Sequence, residues 1–138
     1  MPPKMVTVDV PVKVKDVSVT EIKGVDSKYK DSAQKQIKAQ MEKGLAKIKV
    51  EIPNGKKLGA LAVEIGVTIK RTDQGLYVNL DMAPSEGNFM LGRVQANGTL
   101  PLPKGTDPDD GDMSAAAQAT AKKAIESLIS AFKTQAKK

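Results

Sequence analysis

The chain has no cysteine, no histidine and no tryptophan, and its only aromatic residues are Tyr29, Tyr77, Phe89 and Phe132. Without histidine or cysteine there is no Ser-His-Asp triad, no Cys-His pair and no zinc site built from those ligands. No disulfide framework exists either, so stability must come from a core, and the composition fits a reducing compartment. Arginine is almost as scarce: Arg71 and Arg93 are the only two among 22 basic residues. Bidentate readout of phosphate or guanine is therefore limited. Four scattered aromatics make no base-stacking platform. Both absences argue against nucleic acid as a partner.

Long apolar runs are missing as well. Nothing approaches the roughly 20 residues that span a bilayer. Met1-Pro2-Pro3-Lys4-Met5 runs straight into alternating valines, without the apolar stretch of a leader peptide. The expectation is a cytoplasmic protein with no transmembrane segment.

What is present suits one domain over residues 1–138, with 40% hydrophobic residues. A chain of this length buries roughly two-thirds of the surface its unfolded form exposes. Net charge is +6, and the whole surplus lies in the first 70 residues. Most of those lysines read as solvated faces, with weak attraction to anionic surfaces as the sharper consequence.

Val6, Val8, Val10, Val12 and Val14 alternate with polar residues, which predicts a strand. The parity flips after Lys15-Asp16, where one extra residue predicts a bulge or break. Pro11, lacking an N–H, predicts an edge position. From Ser27 to Lys47, Tyr29, Ala33, Ile37, Met41 and Leu45 recur every four residues and predict an amphipathic helix. Ile48, Val50 and Ile52 then alternate again. Asn54-Gly55 favours a type I′ turn, which would place Ile48 opposite Leu61 in a hairpin.

Leu61, Val63, Ile65, Val67 and Ile69 form the longest apolar strand face. With a loop over Thr72-Asp73-Gln74-Gly75, Ile69 faces Val78, Val67 faces Leu80 and Ile65 faces Met82. A last strand over Phe89 to Leu102 changes parity near Gly92-Arg93. A final helix runs from Ser114 to Ala136, with a stripe of Ala117, Ala121, Ile125, Leu128, Phe132 and Ala136. Asp112 or Ser114 suits its N-cap, and Lys133, Lys137 and Lys138 its C-terminal end. The predicted class is α+β: order β-α-β-β-β-β-α, a twisted antiparallel sheet with two amphipathic helices on one face.

Chemical motifs are weak. Ser32-Ala33-Gln34-Lys35 matches S-x-x-K, but its companion motifs are missing and its surroundings are charged. Asp107-Pro108-Asp109-Asp110-Gly111-Asp112 fits no EF-hand frame and reads as a turn with a helix cap. Glu64 and Asp81 fall diagonally on the polar sheet face, where no pocket separates their pKa values. No cofactor, metal site or enzymatic activity is expected.

The element order resembles that of helix-grip domains, in which a curved sheet wraps a C-terminal helix around an apolar cavity. Sheet-and-helix lipid-binding proteins share a similar order. The resemblance is one of architecture; the long aliphatic sheet face paired with an Ala-rich helix (Ala117, Ala121, Ala124) leads to the expectation of a non-enzymatic module that holds an apolar or amphipathic, lipid-like molecule between sheet and helices. Val63, Ile65, Val67, Val78, Leu80, Ala121, Ile125 and Phe132 would line that site. The alternative is an adaptor that self-assembles, or docks a protein partner, through the N-terminal strand or a sheet edge.

Overall fold

The computed structural model describes residues 4–136. Met1 to Pro3 lie outside the described residues, as do Lys137 and Lys138 with their expected place at the helix end. The elements are β1 (Met5–Val10), β2 (Val12–Lys23), α1 (Tyr29–Leu45), β3 (Ile48–Pro53), β4 (Leu61–Arg71), β5 (Gly75–Glu86), β6 (Phe89–Met90), β7 (Val94–Pro101) and α2 (Asp110–Ala136). The class is α+β, as the patterning predicts.

The centre of the main sheet is the antiparallel pair β4–β5. Its register places Ile69 opposite Val78, Val67 opposite Leu80 and Ile65 opposite Met82, as expected from matching apolar faces. At the turn, Thr72 and Gly75 exchange backbone hydrogen bonds of 2.8 and 3.2 Å. Gly75 has φ +152°, and a Cβ there would overlap the Leu100 carbonyl oxygen of β7. Only glycine fits both demands.

The sheet is mixed, not purely antiparallel. β2 lies parallel to β4, with Val12 opposite Leu61 and Val17 opposite Ile65. Parallel neighbours need a long crossover. Here α1, β3 and residues 54–60 supply it. The register slips between Val14 and Asp16, where the parity change predicts a bulge, and again between Val19 and Glu21. Side chains take up backbone groups at the second slip: Val19 N–H donates to Gln34 Oε1 (3.0 Å), and Thr20 Oγ1 donates to Val67 O (3.2 Å).

The single strand expected across Val6 to Val14 is two strands. Pro11 separates β1 from β2, and the two join different sheets: β1 pairs β3, while β2, β4, β5, β6 and β7 form the other. The expected hairpin between Ile48–Ile52 and Leu61 does not form. Ile48 faces Val10, Val50 faces Val8 and Ile52 faces Val6. A type I′ turn needs positive φ at both central residues, but in this turn only Gly55 has it (φ 88°). Lys56 N–H closes the turn on Pro53 O at 3.0 Å. β1 also offers an apolar alternation that matches β3 along its full length.

The last expected strand is likewise divided, into β6 and β7 at residues 91–93, and both pair with β5. The strand order thus gains two breaks over the predicted one. α2 begins before the expected Ser114. Asp109 is its cap: Asp109 Oδ1 accepts Asp112 N–H (2.8 Å), and Asp112 Oδ2 accepts Asp109 N–H (3.0 Å). This is a reciprocal capping box with aspartate in the glutamate position.

Both helices share one core with the inner sheet face. α1 lies against β2 and α2, and α2 lies against β3, β5 and β7. Ala116, Ala117, Ala121 and Ala124 are buried, so α2 approaches the sheet on small side chains. Thr120, also buried, donates its hydroxyl to Ala116 O at 2.8 Å, so no polar group is orphaned there.

Candidate functional site

Seven of the eight residues expected to line a ligand site (Val63, Ile65, Val67, Val78, Leu80, Ala121 and Phe132) are buried members of the core. Ile125 is half-buried and lines a groove elsewhere. That groove, about 660 Å³ and open to solvent, runs between α1 and α2. Gln40, Lys43 and Gly44 form one wall, and Gln118, Lys122, Ile125 and Glu126 the other. Gly44 lets the helices close up, since a Cβ there would overlap Ile125 Cδ1. The groove residues other than Ile125 and Gly44 escape sequence reasoning, because they are polar and sit off each helical stripe. A glycine within the first stripe is the one signal that two helices meet there.

A second hollow, about 100 Å³, separates β7 from the first turns of α2 and is lined by Leu100, Ala116 and Thr120 among others. It is large enough for a few waters and too small for a lipid tail.

The other candidates separate in space or are already occupied. Ser32 and Lys35 are both exposed, and Ser32 Oγ accepts a hydrogen bond from Gln36 Nε2 at 3.0 Å. Glu64 lies opposite Ala83, and Asp81 opposite Gly66, so the carboxylates are diagonal, as the register implies. Asp81 Oδ2 pairs with Arg93 at 3.0 Å. Asp109 and Asp112 are committed to the helix cap, and no group of three or more potential metal ligands occurs among the described residues. No helix among those residues is long and apolar enough to cross a membrane.

The remaining site is an edge. β1 has β3 as its only strand partner among the described residues. Val6, Val8 and Val10 are half-buried on one face, while Met5 is 41% exposed and Thr7 and Asp9 are exposed. Asp9 is held by Lys47 at 3.4 Å, an exposed pair worth little to stability. Such an arrangement can add a strand by main-chain hydrogen bonding, with side-chain selection on alternate positions.

No protein-family model and no curated protein matches the chain.

Proposed function

We propose that the protein is a non-enzymatic docking module that takes an extended segment of a protein partner along β1. The observation that carries this reading is the free side of β1 in a two-stranded ribbon, with Val6, Val8 and Val10 only half-buried beside the buried Ile48, Val50 and Ile52 of β3. An unpaired strand edge is a template for another chain. Selection from a random peptide-display library tests it. Enriched peptides should alternate β-branched with polar residues, and their binding should vanish in Thr7→Pro, which removes an edge N–H. Enrichment of helical peptides, or binding indifferent to Thr7→Pro, would count against it.

The groove between α1 and α2 supports a second reading, a site for an amphipathic small molecule. Ile125 and Gly44 offer an apolar floor, and Lys43 and Lys122 flank it with positive charge. Its volume falls within the range of small-molecule sites. A fluorescent fatty acid should bind at one per chain by native mass spectrometry. Ile125→Asp should abolish binding, and Lys43→Glu or Lys122→Glu should weaken it. Unchanged uptake in all three variants would remove the groove from consideration.

A further inference from the structure

The pairing pattern of β1 determines which of its backbone groups face outward. Asn54 N–H donates to Lys4 O at 2.7 Å, and the register sets Met5 opposite Pro53 and Val6 opposite Ile52. In an antiparallel ladder, residues alternate between exchanging hydrogen bonds with the partner and pointing them away. Lys4, Val6, Val8 and Val10 therefore bond to β3, and Met5, Thr7 and Asp9 direct their N–H and C=O to the other side. Pro53 provides an independent check: it stands opposite Met5, where the ladder requires no N–H from it. Among the described residues, no backbone hydrogen bond beyond the β3 ladder reaches Met5, Thr7 or Asp9.

The outer edges of β2 and β7 have groups engaged or interrupted, and β3, whose side away from β1 has no strand partner among the described residues either, carries Lys49 and Pro53. β2 carries two register slips, and Gln34 accepts from Val19 N–H. On β7, Lys123 Nζ donates to Asn97 O at 3.3 Å. Natural sheets also blunt free edges with lysine, proline or bulges. Met5-Val6-Thr7-Val8-Asp9-Val10 contains no lysine and no proline, and its register with β3 is unbroken.

We propose that β1 pairs antiparallel with β1 of a second copy of this chain, about a two-fold axis at Thr7. The proposal rests on the docking reading of β1 and names its occupant. With the axis at Thr7, Thr7 exchanges both hydrogen bonds with Thr7 of the second copy, and Met5 does so with Asp9 of the second copy. All three outward residues are used. An axis at Val6 or Val8 leaves Asp9 or Met5 without a strand residue opposite, and an axis at Asp9 sets two carboxylates face to face. Around Thr7 no like charges meet, and Val6 lies beside Val8 of the second copy, so the half-covered valine face continues across the axis. Such an isologous contact is self-complementary by construction. The two ribbons become one continuous sheet in the order β3-β1-β1-β3.

Cysteine trapping tests this directly, because the chain has no cysteine of its own. Opposite residues of a hydrogen-bonded antiparallel pair have Cα atoms about 5.5 Å apart, inside the disulfide range of about 4.4–6.8 Å. Thr7→Cys should oxidise to a covalent dimer at least about tenfold faster than Lys49→Cys, a control facing Asp9 from β3, since only position 7 meets its own copy. The unmodified protein should show concentration-dependent dimerisation by sedimentation. Thr7→Pro should abolish it while leaving the unfolding midpoint nearly unchanged, and Thr7→Val should preserve it. Equal cross-linking of the two cysteine variants, or a monomer at all concentrations, overturns the proposal. If peptides from the display library still bind β1 in that case, only the second copy fails; if they do not, the docking reading fails with it.

Discussion

Val67 and Thr68 are adjacent residues with opposite environments. Val67 is 0% exposed against Leu80, while Thr68 is half-buried on the far face beside Asn79. Val67→Asp should cost more than about 3 kcal/mol, because a charge is buried without a partner. Thr68→Asp should cost less than about 1 kcal/mol. Urea unfolding midpoints of the two variants decide the matter, and equal midpoints would contradict the register. Ala121 tests the space between sheet and helix. It is 1% exposed in the core, so Ala121→Leu should overpack the site and cost about 1–3 kcal/mol. A gain in stability accompanied by loss of fatty-acid uptake would instead restore a ligand site there. These core positions were legible because apolar alternation marks buried faces. The contact of Gly44 with Ile125 leaves no local signal, since the two residues lie 81 positions apart in the chain.

At the level of elements, periodicity identifies the type of each segment better than its ends or its partner. On α1 the expected stripe is buried at Ala33, Ile37, Met41 and Leu45; on α2 it is buried at Ala117, Ala121, Leu128 and Phe132 and half-buried at Ile125, while the Ala136 side chain lies outside the described residues. The start of α2 was missed because Asp109 and Asp112 bond each other's backbone, a matter of cap geometry and not of apolar spacing. Asp109→Ala should lower stability by about 1 kcal/mol. Calcium should not raise the thermal midpoint of the parent protein, whereas a marked rise would reveal a cation site that outcompetes the cap. The misassigned partner of β3 has a comparable cause. Ile48, Val50 and Ile52 present an apolar face that matches any strand of the same alternation, whether Leu61 onward or Val10 backward. Alternation says which side of a strand is buried, but not which strand lies next to it.

On the scale of the whole molecule, the positive surplus in the first 70 residues lies on β2, α1 and the connecting residues such as Lys47, Lys56 and Lys57, and not on β1. Duplex DNA should accordingly bind weakly, without sequence preference, and come off as salt rises past physiological levels. Tight, sequence-selective binding in a fluorescence titration at that salt would overturn the argument from scarce arginine. The sequence by itself determined the α+β class, the central β4–β5 register, the bulge in β2 and the apolar stripes of both helices. Each of these follows from spacing within a few residues, or from a short turn that brings two faces together. Only the tertiary structure decided that β2 runs parallel to β4, that Pro11 sends β1 and β2 into different sheets, and that α1 and α2 meet over Gly44 to leave a groove. Those outcomes depend on competition among distant segments for the same apolar surface. The energy of each pairing is set by the packing of the assembled core, a quantity that local periodicity does not contain.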